Sequence, residues 1–333
     1  MIRMIHSNIF QIEVPLPLNP LRHLNSYLIK SEDRNLLIDT GLNYTMAFKS
    51  VCNDLAGVGV GIEDLTDILV THFHVDHVGM IHRFTKASEN VRVFIHKVEA
   101  ELSKVISAES KDHTETVRNF LEVNGAPSSI SLGLQKYHPA FNTPQAYIEL
   151  ATKAVPIEDG KEFSIDSYNF KVLWTPGHSP GHVCLHEPSL KVLVSGDHLL
   201  PTITPHVSQF MEDMKPLSDY LDSLIKTQRL DVEIVLPGHE KPFSNHKERI
   251  EQLKKHHKQR LGEIVDELKK GSSTAYSLAS KIHWDINFKS WEEFPRFQKY
   301  LALGETIAHL NFLRQKGIVK KTLTNNLIFY DAD

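Results

Sequence analysis

Cysteine is nearly absent. Cys52 and Cys184 are the only two in 333 residues, too few for a disulfide framework and lacking the close spacing of a structural zinc site. A reducing compartment, the cytoplasm, is the expected setting. Long apolar runs are missing too: no stretch approaches the roughly 18 residues of a membrane-spanning helix. Pro15 interrupts the opening segment MIRMIHSNIFQIEVPLPLNP before a signal-peptide core can form. A soluble chain without a membrane partner is therefore expected. Strong charge imbalance is the third absence. A net charge of −4 gives no general attraction to phosphate backbones or anionic surfaces, so a nucleic-acid role would need a local basic patch.

What is present is globular. The hydrophobic set makes up 41% of the chain and charged residues 23%, enough apolar surface for a sizeable core. The length exceeds the usual single-domain range, which predicts one large domain with an appendage. The first 95 residues alternate short strands, IFQIEV (9–14), NSYLIK (25–30), NLLID (35–39), DILVTH (67–72) and RVFIH (92–96), with helical stretches at 43–56 and about 77–86. Such alternation predicts layered α/β packing. Strand signals return in KEFSI (161–165), NFKVLWT (169–175), HVCLHE (182–187) and LKVLVSG (190–196), followed by a helix over 217–230 and a strand over 232–236. In that helix Leu217, Tyr220, Leu221, Leu224 and Ile225 form one apolar stripe, which should pack on a sheet.

Between these halves, residues 97–151 read as a helical insertion. Its aromatics Phe120, Tyr137, His138, Phe141 and Tyr147 either cap an active site or form a core of their own. The predicted organisation is a catalytic domain over 1–245, a connecting helix over 246–270 stopped at Gly271, and a small C-terminal module over 271–333. That module reads as helices followed by two strands, IVKKTL and LIFYD, meeting at Asn325-Asn326, and so resembles a winged helix.

Histidine is abundant, at 20 residues, and position decides what that means. The sharpest pattern is THFHVDH at 71–77, directly after the apolar DILV. Strand alternation, if it persists, sends His72 and His74 to one side, and the following turn gives Asp76 and His77 a second approach. Two adjacent sites become available, and imidazole with carboxylate suits Zn²⁺ and other first-row metals. A histidine-rich surface turn is the blander alternative.

HxHxDH after a strand resembles the leading motif of the metallo-β-lactamase superfamily, and further matches follow in that family's order. They are Asp39 in LLIDTG, His178 in TPGHSPGH, Asp197 in VSGDH and His239 in VLPGHE. The resemblance implies the αββα sandwich of that superfamily and two metal sites. His72, His74 and His178 would hold one ion, Asp76, His77 and His239 the other, with Asp197 bridging. It implies two zinc ions as cofactors, with iron or manganese as alternatives. Asp39 and His198 would stand behind the ligands, Asp39 orienting an imidazole. His182 and His198 match no ligand position, and Cys184 reads as a core residue.

The resemblance implies a hydrolase in which a metal-bound hydroxide attacks a small ester, thioester or lactone, with Asp76 orienting it and relaying its proton. Aspartate at 197, where secreted β-lactamases of the main subclass carry cysteine, disfavours antibiotic hydrolysis. Histidine at 74, where flavodiiron oxygen reductases carry glutamate, disfavours redox chemistry. The loop GDHLLPTITPH (196–206) and the tail resemble a β-lactamase-like protein 2 and glyoxalase II-like branch, although Phe73 departs from the THHHxDH of glyoxalase II proteins. RNA is the alternative substrate, through an endonuclease of the same fold, and a non-catalytic metal-stabilised binding protein is the third reading. The tail holds eight Lys/Arg against six Asp/Glu, little above neutral, which favours packing or homodimer formation over RNA contact.

Overall fold

The structure is a computed structural model that describes residues 1–17, 19–108, 111–131, 143–285 and 288–332, with backbone alone at 111–113. The N-terminal half builds a seven-stranded sheet whose strands lie side by side in chain order. They are β1 (Ile2–His6), β2 (Ile9–Pro15), β3 (His23–Ile29), β4 (Leu36–Ile38), β5 (Asp67–Leu69), β6 (Arg92–His96) and β7 (Val155–Ile157). The first four pair antiparallel through short connections, while β4 to β7 pair parallel. Parallel pairing demands crossovers, and helices supply them. These are α1 (Thr45–Gly57), then α2 (Val75–Val78) with α3 (Ile81–Ala87), then α4 (Lys97–Ser107), α5 (Lys111–Val123), α6 (Ser128–Ser131) and α7 (Pro144–Lys153).

A second sheet, in the order β12-β11-β10-β9-β8, contains β8 (Glu162–Ile165), β9 (Tyr168–Trp174), β10 (Val183–Glu187), β11 (Val192–Gly196) and β12 (Ile234–Pro237). Helix α8 (Pro216–Gln228) crosses from β11 to its parallel neighbour β12. Tyr27, Ile38 and Phe94 of one sheet meet Phe163, Phe170 and Val194 of the other in a buried layer. Helices α1 and α3 cover the outer face of the first sheet through Val51, Leu55 and Phe84; α8 covers that of the second through Leu217, Tyr220 and Leu224. The arrangement is an αββα sandwich, as the motif order implied. Cys184 lies fully buried among the α8 contacts, a core residue.

Several local expectations change. Strands β1 and β7 were not legible, because MIRMIH and VPI are short and sit at the sheet's edges. Strand β5 stops at Leu69 rather than His72, so pleat alternation does not place the histidines that follow. The stretch predicted as one helix over 77–86 is two, α2 and α3, broken at Gly79, where a Cβ would come within 2.5 Å of the Val75 carbonyl oxygen. Ile225 leaves the predicted stripe and stands 40% exposed beside the buried Leu224.

The C-terminal segment comprises α9 (His246–Leu268), α10 (Ala275–Ala279), α11 (Arg296–Gln315), β13 (Val319–Thr324) and β14 (Leu327–Ala332). Asn325 and Asn326 both take positive φ, +50° and +61°, the two-residue turn geometry that suits a twisted hairpin. The segment does not bury its apolar faces alone. Leu121 and Ile130 of the insertion share one core with Ile264, Leu278, Leu303 and Tyr330, and the Tyr330 hydroxyl donates to Asn124 at 2.9 Å. Phe120 packs against this same core, whereas Tyr147 lies in the core under the first sheet. Both serve packing in place of a free cap; Tyr137, His138 and Phe141 lie outside the described residues. Among the described residues no helix is long and apolar enough to cross a membrane.

Phe170→Ala opens a cavity between the two sheets, and urea unfolding should show a loss of about 3–5 kcal/mol.

Candidate metal centre

The polar residues gather where strands of both sheets end. Just past β5 the chain runs extended through His72 to His74, the residue before α2, and α2 then carries Asp76 and His77 on its single turn. The β9–β10 connection brings His178, the end of β11 brings Asp197, and the end of β12 brings His239. Donor atoms of His72, His74 and His178 lie within 4.8 Å of one another, as do those of Asp76, His77 and His239. A third such group, His72, His77 and Asp197, joins the two. All seven residues singled out from the sequence thus converge.

Asp197 occupies the middle. Its Oδ1 lies 3.5 Å from His77 Nε2, and its Oδ2 lies 3.6 Å from both His178 Nε2 and His239 Nε2. Asp76 Oδ2 is 3.4 Å from His239 Nε2, and His72 Nε2 is 2.9 Å from His74 Nδ1. Two donors on one tetrahedral ion, each about 2.0–2.1 Å from it, stand roughly 3.4 Å apart, so most of these spacings suit shared coordination. The Nε2 atoms of His77, His178 and His239, with Asp197 Oδ1, are buried and have no hydrogen-bond partner. Buried polar atoms are rarely left so, and a cation is the partner this donor set would take. The residues therefore fit divalent metal.

The outward ring nitrogens are, by contrast, fully engaged. His178 Nδ1 donates to the His206 carbonyl at 2.8 Å, His239 Nδ1 to the His23 carbonyl at 2.9 Å, and His77 Nδ1 to Asp39 Oδ2 at 2.8 Å. Each bond fixes the tautomer that leaves an Nε2 lone pair facing inward. Asp39 is buried, sits at φ +59°, and also accepts from the Thr71 N–H and hydroxyl, both at 2.8 Å. It is thereby tied to the start of the THFHVDH segment. Gly238 permits the close approach of β12: a Cβ there would lie 2.5 Å from Asp197 Oδ1 and 3.0 Å from His77.

Electrostatics divide the cluster. Burial and the surrounding imidazoles hold His72 and His74 well below the usual histidine range. Burial works against protonation of His77 and His239 as well, but Asp39, Asp197 and Asp76 outweigh it and raise both. For Asp76, burial pushes up, but the neighbouring imidazoles of His239, 3.4 Å away, and His77 outweigh it and leave the carboxyl at about 2. Both central carboxylates are ionised at neutral pH, ready to bind a cation.

His198 faces away from the cluster: its Nε2 pairs with Thr227 Oγ1 of α8 at 2.9 Å. Of the two, His182 is the one that touches the cluster: its Nε2 accepts the Asp197 N–H at 3.1 Å. Sequence reasoning missed three further participants. Glu240 anchors the 196–206 loop by accepting from the Thr202 hydroxyl and from the N–H groups of Thr202 and Ile203. Arg249 holds that loop from α9 through the carbonyls of Leu200, Thr202 and Ile203. Glu99 of α4, fully buried, accepts from Ser179 and Gly181 beside His178. Only the position of Glu240 next to His239 offered a clue.

A cluster of imidazoles and carboxylates open to binding divalent metal, at the strand ends of an αββα sandwich, defines a metal-dependent hydrolase. The chain belongs to the metallo-beta-lactamase superfamily, whose family model matches residues 20–239. The superfamily uses divalent metals, and the chain is a hydrolase within it. It is 24% identical to the probable metallo-hydrolase YqjP of Bacillus subtilis over 98% of both chains. It is 26% identical to the acyl-coenzyme A thioesterase MBLAC2 of Bos taurus, over 66% of this chain and 74% of that one. Among solved structures, the metallo-beta-lactamase family protein TTHA1429 of Thermus thermophilus superposes with a TM-score of 0.81 at 27% identity, covering 99% of this chain and all of that one.

Asp39→Asn keeps the left-handed backbone but replaces one of two accepting oxygens by NH2, so either the Thr71 N–H or the His77 Nδ1–H loses its acceptor. Metal affinity, measured by chelator competition, should fall about 10–100-fold. A pH effect follows from Glu99, which burial raises from its ordinary 4.5 to about 7 against the pull of its hydrogen bonds. Between those values the unfolded chain has lost the proton that the folded chain keeps. The contribution of Glu99 to stability therefore falls as pH rises through this window and levels off above it. In the metal-free protein, Glu99→Gln should lack that slope, read from urea midpoints at successive pH values.

Proposed function

We propose that this hydrolase cleaves a thioester of a small acyl group with two metal ions, zinc for preference. His72, His74 and His178 would hold one ion, and Asp76, His77 and His239 the other, with Asp197 shared. The observation that carries this is the set of inward Nε2 and Oδ1 atoms with no protein partner, gathered around Asp197 at 3.5–3.6 Å. Metal held there would supply Lewis acidity, lowering the pKa of water and polarising an acyl oxygen.

The chain's own residues then do the rest. Asp76 lies at the partly open edge of the cluster, ionised, and accepts a proton from the attacking water at a carboxylate oxygen. His77 and His239 are held rigidly by Asp39 and the His23 carbonyl, so they keep Asp76 and Asp197 fixed while charge shifts. Neither cysteine takes part: Cys184 is buried in the core and burial raises its thiol to about 12.

Among esters, thioesters and lactones, the thioester is favoured by similarity to the acyl-coenzyme A thioesterase of Bos taurus. An RNA substrate gains no support from the tail, where Lys321 of the basic run is paired with Glu212 and Arg314 with Asn311. Nothing among the described residues favours a homodimer either.

Purified without chelator, the protein should carry close to two metal equivalents per chain by elemental analysis. A panel of acyl thioesters, lactones, phosphodiesters and single-stranded RNA should show thioester turnover that Asp76→Ala abolishes and chelator removes. Turnover confined to RNA, or thioester turnover equal in the variant, would sink the proposal.

A further inference from the structure

Glu99 is a buried acid in a place that packing alone does not explain. It sits in the first turn of α4 with no exposed surface. A carboxylate taken out of water costs several kcal/mol unless donors satisfy it, so an apolar residue would be the simpler filling. Its Oε1 accepts the Ser179 hydroxyl at 2.5 Å and the Gly181 N–H at 2.7 Å. Those two residues flank Pro180 in the loop that carries His178. Gly181 is itself part of the fit, since a Cβ there would stand 2.5 Å from Glu99 Cγ.

The same carboxylate also faces the other chain segment. The Phe73 N–H, between His72 and His74, lies near enough to favour its charged form, while Glu99 Oε2 accepts no hydrogen bond. The Phe73 carbonyl, in the next peptide link, accepts the hydroxyl of Tyr147 from α7 at 3.1 Å. The insertion therefore grips the HFH segment through Tyr147 of α7 and the His178 loop through Glu99 of α4. His72, His74 and His178 are contributed by these two segments, which are about 100 residues apart in the chain.

We propose that Glu99 is a positioning residue for the first metal site, holding the His178 loop on α4 while Tyr147 of α7 holds the His72–His74 segment, and so setting the separation of the three imidazoles. This rests on the metal reading above. Hydrogen bonds to a carboxyl oxygen are directional, which a packed apolar side chain cannot reproduce. Ala at this position leaves the Ser179 hydroxyl and the Gly181 N–H buried without an acceptor, and the loop is free to relax away from His72 and His74.

The test uses the full-length protein, stripped and reloaded with Co²⁺, followed by its visible absorption and by chelator competition. Wild type should bind two equivalents. Glu99→Ala should weaken one of the two by about 10–100-fold and shift its absorption bands, leaving the other site unchanged. Glu99→Gln keeps a carbonyl acceptor and should restore most of the affinity. If Glu99→Ala does not fold, Ser179→Ala removes one of the two donors and should give a smaller loss confined to the same site. Equal affinities and spectra in wild type and Glu99→Ala would overturn the positioning role alone, as would equal weakening of both sites with Gln no better than Ala. Wild type that binds no Co²⁺ would overturn the metal reading and this one with it.

Discussion

The Asp197 carboxylate lies 3.5–3.6 Å from imidazoles delivered by three separate stretches of chain, and the geometry of the whole molecule serves to keep it there. Those imidazoles would move apart if their outer nitrogens were free, so each is tied to something rigid: His178 to the His206 carbonyl, His239 to the His23 carbonyl, His77 to Asp39. The inner atoms are left without protein partners. That combination, satisfied outside and unsatisfied inside, is costly for a fold and useful for binding a cation.

The two-sheet sandwich makes such convergence affordable. Each sheet ends on the same side, so the loops after β5, β9, β11 and β12 meet without long excursions. Direct bonds between the halves hold the register. The Asn25 side chain donates to the Pro237 and Glu240 carbonyls, the Tyr27 hydroxyl donates to the Pro237 carbonyl, and the Val183 N–H donates to the Thr71 carbonyl. The insertion and the C-terminal segment add an outer brace. Helix α11 reaches the 196–206 loop and its continuation through Asn311, which bonds Gln209 and the Met214 carbonyl, while α9 holds the loop through Arg249. The tail is therefore built into the support of the active face.

Much of the fold was legible because its signals are local. Apolar runs of four to seven residues marked most strands, and Asn325-Asn326 marked the final hairpin, where both residues adopt positive φ. Elements at the sheet edges, β1 and β7, were not legible, since half-exposed short strands carry little pattern. The reach of β5 was overread for a related reason: VTH continues the strand composition, yet the chain leaves β6 after Val70, whose N–H still donates to the Phe94 carbonyl.

The sequence by itself picked out seven candidate donor residues and the superfamily, because both are read from side-chain type and order along the chain. Tertiary structure alone decided which atoms face each other and what holds them. It showed that His182 touches the Asp197 backbone while His198 turns to Thr227, and that Glu99, an unremarkable acid in a polar helix, lies buried against the loop that carries His178. The physical reason is that hydrogen bonding and burial depend on neighbours brought together across about 100 residues, and no local pattern encodes those neighbours.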